Sequence, residues 1–275
     1  MAVQREIHAK SVLTKSGISD YSVNCYSGCL HNCVYCYARY MRKFTGHVEP
    51  WGQYLDVKIN APEVLAREVT RKPAGRIFFS SACDGWQSAE RKYELTRRCL
   101  KIAADAGFGI STLTKSALIS RDLDILSSAP DASLGCTITT LDESLRRKIE
   151  PAASSSTDRI RVLERASEMG VRTYIFCGPL LPGITDTPGN IEAMFARLSQ
   201  LNVNSILVDK LNFRSGVLES MLEFLGRFQP RLIPVYRKLY LDPQEYEAYV
   251  DNLRVRVEQI SRSAGLEERV EIICR

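Results

Sequence analysis

The sequence predicts an α/β protein whose parallel sheet forms an open or partial barrel. From position 62 onward, short apolar runs alternate with segments of helical periodicity, which is typical of βαβ units. About six such units fit into the chain, fewer than the eight of a closed barrel. Polar clusters follow several predicted strands, and the carboxyl ends of parallel strands are where such folds collect their chemistry.

The composition is that of an ordinary soluble domain. Of the 275 residues, 45% are hydrophobic and 25% are charged. This length can bury one large core, so we expect a single domain over 1–275, with a barrel core at 20–210 and a C-terminal helical extension with a short strand at 211–275. There is no long apolar run and the first residues lack an apolar signal core, so we expect a cytoplasmic protein that does not insert into membranes. In that reducing compartment the nine cysteines are expected to be thiols and metal ligands rather than disulfides.

The modest positive net charge of the protein does not identify its binding partner. The formal net charge is +5, from 37 basic and 32 acidic residues. Basic residues cluster at 71–72, 91–92, 97–98 and 146–148, which is more typical of solvated helix faces than of a ligand site. These clusters permit a phosphate-bearing partner without requiring one.

The elements follow in order from local patterns. The first strand is predicted at 21–24, directly before a cysteine-rich loop, and a helical turn at 37–42 follows that loop. Further strands are predicted at 54–59, 76–81, 109–114, 133–139, 171–177, 203–208 and 270–273. One-sided apolar spacing predicts helices at 62–71, 88–106, 120–126, 157–169, 191–201, 216–228 and 246–260. Residue type marks three of these helix ends: Pro62 lies in a first turn, and Gly107 and Gly170 lie just past two helices.

The cysteine-rich loop at 24–37 indicates a metal site. Cys29, Cys33 and Cys36 are separated by three and then by two residues. A structural zinc site needs four ligands, commonly as two spaced pairs, and no distant Cys-x-x-Cys pair is present here. Three close thiolates suit an iron–sulfur cluster with one iron left open to a substrate or cofactor. Cys25 and His31 stay candidates for a fourth ligand, and zinc stays the alternative metal.

A resemblance to a known family begins in the same loop. The string Cys29-x-x-x-Cys33-x-Tyr35-Cys36 resembles the signature of the radical S-adenosylmethionine (SAM) superfamily. The longer pattern Asn-x-Tyr-x-Gly-Cys-x-His-x-Cys-x-Tyr-Cys-Tyr-Ala-Arg, at 24–39, is similar to the subgroup related to spore photoproduct lyase. The likeness covers nearly the whole chain and continues through strings at 58–62, 84–90, 95–97, 113–116, 121–124 and 150–151.

The resemblance implies a fold, two cofactors and a radical reaction. It implies a partial (β/α)6 TIM-like barrel, with the cysteine loop after the first strand and a 4Fe–4S cluster on Cys29, Cys33 and Cys36. In this superfamily SAM chelates the open iron and is cleaved reductively to a 5′-deoxyadenosyl radical, which takes hydrogen from the substrate. The implied partners are SAM and an electron donor such as flavodoxin or ferredoxin.

The resemblance also implies SAM contacts, each with ordinary packing as the alternative. Tyr35 is expected near the adenine. Ser80, Ser81 and Asp84 are expected near the methionine amino group, where a backbone carbonyl is the alternative contact. Lys115 is expected at the methionine carboxylate, because a lysine there adds a point charge. Thr137 and Thr139 are expected at the ribose or the carboxylate, or else they satisfy backbone at strand ends. Glu150 is a weaker candidate, for the ribose or for Arg159.

Two cysteines depart from the family pattern. Cys25 stands where relatives usually carry proline, and we interpret it as a packed thiol. Cys83 stands where threonine is more usual. In spore photoproduct lyase a cysteine near this strand end returns a hydrogen atom to the product radical, so Cys83 is a candidate hydrogen donor. Trp86 and Ser88 replace the common tyrosine and proline, which makes the substrate end atypical.

Two classes of function follow. The first is a radical SAM enzyme whose substrate is a nucleic acid, or else a small molecule or peptide. The second is a zinc-stabilised nucleic-acid-binding module that uses the same cysteines structurally, without catalysis.

Overall fold

The computed structural model describes residues 2–274, which divide by packing into two units. Unit 1 comprises the chain up to Asn32, Met41–Cys136 and Ala152–Tyr174. Unit 2 comprises Cys33–Tyr40, Thr137–Pro151 and the chain from Ile175 onward. The single domain expected over 1–275 stays a prediction, and its two end residues lie outside the described range.

From residue 54 onward each strand except the last is followed by one or more helices, as the apolar spacing predicts, whereas four short strands precede this region without an α-helix between them. The strands of the described residues are β1 (Val3–Ile7), β2 (Leu13–Lys15), β3 (Tyr21–Val23), β4 (Tyr26–Ser27), β5 (Tyr54–Lys58), β6 (Arg76–Phe79), β7 (Gly109–Thr114), β8 (Ala132–Thr137), β9 (Arg172–Leu180), β10 (Ser205–Lys210) and β11 (Val270–Ile272). The α-helices are α1 (Ala61–Val69), α2 (Glu90–Tyr93), α3 (Leu95–Asp105), α4 (Leu123–Ser128), α5 (Glu143–Ile149), α6 (Ser156–Glu168), α7 (Pro188–Leu198), α8 (Val217–Phe228), α9 (Ile233–Leu241) and α10 (Pro243–Ser263). Short 3₁₀ helices lie at Tyr37–Phe44, Ala117–Asp122 and Pro230–Leu232.

The sheet of unit 1 is mostly parallel. Its strands lie in the order β2-β3-β6-β7-β8, and only the edge pair β2-β3 is antiparallel. Alternate residues of β7 are buried, which is the period of two expected for a strand. Because β3, β6 and β7 run in the same direction, the residues that follow them all leave one edge of the sheet. A smaller sheet of unit 1, in the order β1-β5-β4, pairs β5 with the strand that leads into the cysteine loop.

Unit 2 carries the later strands and the last helices. The backbone N–H of Ile138, just past β8, donates to the carbonyl of Phe176 in β9 at 2.9 Å. β10 pairs parallel with β11, with Ile206 opposite Val270. β11, from the predicted C-terminal extension, therefore pairs with β10, a strand of the predicted barrel core. No helix within residues 2–274 is long and apolar enough to cross a membrane.

The helix predicted at 88–106 is two helices, separated at Glu94. Glu94 adopts a left-handed conformation, with φ at +50°. The carboxylate of Glu90 accepts the backbone N–H groups of Thr96 and Arg97, at 3.1 and 3.0 Å. These two groups lie in the first turn of α3, which has no helical acceptors for them. A side chain from the preceding helix thus caps α3, and the cap explains the break.

Candidate cofactor site

The cysteine loop begins at a turn that requires glycine. β4 pairs antiparallel with β5, with Ser27 opposite Asp56. Gly28 follows with φ at +93°, and a Cβ there would lie 2.6 Å from the carbonyl oxygen of Tyr54. The next residue, Cys29, is buried, and its carbonyl accepts the N–H of Asn32 at 3.4 Å. The turn therefore leaves room only for a residue without a side chain just before Cys29.

Gln87 contacts both neighbours of Cys29 within unit 1. Its Oε1 accepts the backbone N–H of Leu30 at 2.8 Å, and its Nε2 donates to the carbonyl of Gly28 at 3.4 Å. The side chain is fully buried. Gln87 lies in the string at 84–90 that the sequence shares with the predicted family, but that resemblance implies no role for it.

Cys33 and Cys36 belong to unit 2, together with Arg39. Cys33 is buried and Cys36 is partly exposed. The N–H of Cys36 donates to the carbonyl of Cys33 at 3.2 Å, and Nη2 of Arg39 donates to the same carbonyl at 3.0 Å. Burial lowers the pKa of Arg39, while negative charge on the thiolates of Cys36 and Cys33 acts in the opposite direction. A cationic side chain therefore lies beside two of the three cysteines.

The carboxylate of Glu150 joins two of the predicted SAM contacts in unit 2. The Tyr35 hydroxyl donates to Oε1 of Glu150, and the Thr139 hydroxyl donates to the same oxygen at 3.2 Å. All three side chains are buried. The backbone N–H of Val34 donates to the carbonyl of Ile149 at 3.0 Å, which fixes the same segments to each other. The expected contacts of Tyr35 and Thr139 with the adenine and ribose stay predictions.

Asp84 ties together the ends of two strands in unit 1. It follows β6, and its carboxylate accepts the N–H of Trp86 at 2.9 Å and the N–H of Lys115 at 2.8 Å. The hydroxyl of Thr114, the last residue of β7, donates to both carboxylate oxygens, at 2.7 and 2.9 Å. Nδ1 of His31 lies 3.8 Å from Oδ2 of Asp84. Asp84 is thus a buried anchor, and its predicted contact with the methionine amino group stays a prediction.

Asn24 organises the segment that carries Ser81 and Cys83. Its Nδ2 donates to the Ser81 hydroxyl at 2.9 Å, and its Oδ1 accepts the N–H of Ala82 at 2.9 Å. The Cys83 thiol donates to the carbonyl of Tyr26 at 3.3 Å. Burial raises the pKa of Cys83 to about 12, so this sulfur carries its proton at neutral pH.

The remaining predicted SAM contacts lie at strand ends. Lys115 follows β7, is partly exposed, and accepts the N–H of Ser154 on its carbonyl at 3.0 Å. Thr137 is the last residue of β8, and both it and Thr139 are about 99% buried, each with 1% of its surface exposed. Their positions agree with the predicted location at the carboxyl ends of the strands. Their contacts with a cofactor stay predictions.

Cys25 makes the contacts of a packed thiol. Its sulfur donates to the sulfur of Cys99 at 3.6 Å, and both residues are buried. The hydrogen bond with Cys99 and burial raise the pKa of Cys25 well above its usual value. No disulfide joins any of the cysteines among residues 2–274. These contacts support the interpretation of Cys25 as a packed thiol rather than a metal ligand.

A buried ion-pair network in unit 1 was not predicted from the sequence. Oδ2 of Asp122 accepts from the indole N–H of Trp86 at 2.8 Å. Arg97 and Arg121 donate to Oδ1 of Asp122 at 3.0 and 2.7 Å, and Arg121 also reaches Glu90 at 3.1 Å. Both carboxylates are fully buried. Arg97, expected on a solvated face, instead neutralises a buried charge, which is the arrangement that buried carboxylates require.

A family model described as the radical SAM superfamily matches residues 23–195. This match covers more than half of the chain and contains the three spaced cysteines. The chain belongs to the radical SAM superfamily. The predicted resemblance is thereby confirmed.

Two curated relatives of this radical SAM protein illustrate the range of similarity. An uncharacterised protein of Methanocaldococcus jannaschii is 34% identical over 183 residues, which are 66% of this chain and 69% of the relative. A radical SAM Nalpha-GlyT isomerase of Pseudomonas phage M6 is 24% identical over 243 residues, which are 87% of this chain and 50% of the isomerase. The chain thus spans about half the length of that isomerase.

Solved structures of spore photoproduct lyase have the same fold. The lyase complexed with dinucleoside spore photoproduct aligns with a TM-score of 0.73 at 11% identity, over 99% of this chain and 82% of the lyase. A mutant lyase with bound AdoMet and the same dinucleoside aligns with a TM-score of 0.71, also at 11% identity, over 97% and 80% of the two chains. At this identity the likeness shows the fold, so the predicted α/β partial barrel of the radical SAM superfamily is confirmed.

The donor set of this radical SAM chain fits an iron–sulfur cluster in its chemistry. Cysteine thiolates are the usual ligands of such clusters, and burial together with nearby positive charge sets their potential. Cys29 and Cys33 are buried, a glycine turn precedes Cys29, and Arg39 lies beside Cys33. Among residues 2–274, no group of three or more His, Cys, Asp or Glu side chains is arranged to hold a metal ion, so the fit rests on the type of donor and not on an assembled geometry.

Proposed function

We propose that the protein binds a 4Fe–4S cluster through Cys29, Cys33 and Cys36 and cleaves SAM reductively. The match of residues 23–195 to the superfamily, with the three-cysteine spacing inside that range, carries this proposal. When bound, the cluster and SAM supply a 5′-deoxyadenosyl radical that takes a hydrogen atom from the substrate. A donor such as flavodoxin or ferredoxin supplies the electron.

The protein's own side chains hold and orient SAM in this proposal. Lys115 carries a point charge for the methionine carboxylate, on a backbone that is fixed through Asp84 and Ser154. The Thr139 hydroxyl is already oriented by Glu150, which limits the ways in which it meets a ribose. The proposed SAM contacts are Tyr35, Ser81, Asp84, Lys115, Thr137 and Thr139.

Anaerobic purification tests the proposal directly. We expect a brown protein that contains iron and sulfide and releases 5′-deoxyadenosine from SAM after chemical reduction. A colourless zinc protein that releases none would contradict the proposal and support a zinc-stabilised nucleic-acid-binding module.

The proposed substrate is a nucleic acid, or else a small molecule or peptide. Spore photoproduct lyase, which shares the fold, has been solved with a dinucleoside, although this likeness at 11% identity supports the fold alone. A nucleic-acid substrate would need its base extruded into the barrel, and its binding would weaken steeply with salt. Turnover of a small substrate that does not change with salt would exclude the nucleic-acid branch.

Replacing Cys83 with alanine tests its proposed role as hydrogen donor. In that role the S–H bond breaks, a C–H bond forms on the product radical, and a thiyl radical is left on Cys83. We expect Cys83→Ala to keep SAM cleavage and to lower product formation, measured as 5′-deoxyadenosine and product from the same reaction. Cys177→Ala is the matched control, because Cys177 is also buried and its pKa is also raised to about 12. An unchanged product yield in Cys83→Ala would remove the proposed role.

A further inference from the structure

We propose that Gln87 is a positioning residue that fixes Cys29 for cluster binding. The inference rests on the proposed function, since it takes Cys29 as a cluster ligand. The side-chain amide of Gln87 accepts the N–H of Leu30 at 2.8 Å and donates to the carbonyl of Gly28 at 3.4 Å. These two peptide groups lie on either side of Cys29, so one amide restrains the backbone of the ligand from both directions.

Glutamine is suited to this place by its chemistry. A primary amide presents a donor and an acceptor in one planar group, and it does so without charge. A glutamate would keep the acceptor for Leu30 but would lose the donor for Gly28. A methionine of similar length would lose both. Because Gln87 is fully buried, water does not replace the lost bonds without a rearrangement of the loop.

The segment around Gln87 is itself held rigidly in unit 1. Trp86 donates its indole N–H to Asp122 at 2.8 Å and its backbone N–H to Asp84 at 2.9 Å. The carbonyl of Gln87 accepts the N–H of Glu90 at 2.9 Å. Asp84 is bound to the end of β7 through Thr114. Through Gln87, the backbone around Cys29 is therefore connected to the strand ends of the sheet.

Gly28 shows why the loop needs such support. Its positive φ suits a tight turn, but glycine has the greatest conformational freedom of all residues. A metal ligand that follows it keeps its geometry only if other groups fix the backbone, and productive sites tolerate displacements of roughly 0.5 Å. Gln87 supplies that restraint just after the turn.

The test compares Gln87→Met and Gln87→Glu with Thr96→Val in the full chain, reconstituted anaerobically with iron and sulfide. Thr96→Val is the matched control, because the buried Thr96 hydroxyl donates to the Gly85 carbonyl at 2.9 Å in the same segment, whereas the contacts to Leu30 and Gly28 come from Gln87. We expect the rate of iron loss to a chelator to rise at least tenfold in Gln87→Met and less in Gln87→Glu. Thr96→Val is expected to stay near the wild-type rate. The electron paramagnetic resonance spectrum of the reduced cluster is expected to change only in the Gln87 variants.

The outcomes separate this inference from the function on which it rests. If Cys29→Ala loses the cluster while Gln87→Met matches Thr96→Val in chelation rate and spectrum, the inference is overturned and the proposed ligand set stands. If Cys29→Ala keeps the wild-type cluster, the proposed ligand set itself fails. Urea unfolding of the cluster-free proteins shows whether each variant folds. If Gln87→Met does not fold, the Gln87→Glu variant decides by the same comparison.

Discussion

Replacing any one of Cys29, Cys33 and Cys36 with alanine is expected to abolish cluster binding and SAM cleavage, whereas Cys25→Ala is expected to retain both. Each of the three replacements removes one thiolate from the proposed ligand set, which has only three members. Cys25 instead donates a hydrogen bond to the sulfur of Cys99, and its raised pKa keeps it protonated. Iron and sulfide content, with release of 5′-deoxyadenosine after reduction, measures the outcome.

The comparison is informative because all four variants change a cysteine within the same few residues of chain. Unfolding of the cluster-free proteins in urea controls for a general loss of structure. A Cys25→Ala protein without iron would show that Cys25 is a ligand, and the three-cysteine assignment would then be wrong.

The second large effect is expected at Asp84. Asp84→Ala leaves the backbone N–H groups of Trp86 and Lys115 and the Thr114 hydroxyl without their acceptor. Each unsatisfied buried group costs about 1–3 kcal/mol, so we expect the free energy of unfolding to fall by about 3 kcal/mol. Asp84→Asn keeps one acceptor oxygen and is expected to lose about half as much. Urea unfolding of the cluster-free protein measures both.

Asp124→Ala is the control for this prediction. The Asp124 side chain is 58% exposed and pairs with Arg97 at 2.7 Å, so its loss is expected to cost less than about 1 kcal/mol. Equal effects at Asp84 and Asp124 would show that Asp84 is not the anchor its contacts indicate. SAM binding by Asp84→Asn, measured with the folded protein, tests the predicted cofactor contact separately.

The order of elements was readable from the sequence because most of them carry a periodic apolar face. The helices that were missed lack such a signal. α5 has the segment Arg146-Arg147-Lys148 in its last turns, and its start depends on Asp142, which accepts the N–H groups of Ser144 and Leu145 at 2.7 and 3.1 Å. α9 follows α8 with only a short 3₁₀ helix between them, and Pro234 lies in its first turn. For α5, a side-chain cap therefore marks a helix start that periodicity does not.

The candidate site likewise contains residues that a local sequence pattern marks and residues whose contacts join distant parts of the chain. The three cysteines were found because they lie within eight residues of chain, where spacing alone carries the chemistry. Gln87 meets residues 57 and 59 positions away, and Tyr35 meets Glu150 across 115 positions. The family strings include Gln87 and Glu150 but do not give their partners, so these contacts required the folded chain.

The uneven burial of the cysteines has a practical consequence. Within residues 2–274, eight of the nine are buried and only Cys36 is partly exposed. A maleimide added to the native, cluster-free protein is therefore expected to modify Cys36 first, because reaction requires both access and a thiolate. A cluster bound through Cys36, as proposed, would protect that sulfur. One labelling reaction, read by intact mass, would then report the fraction of molecules that have lost their metal during handling in air.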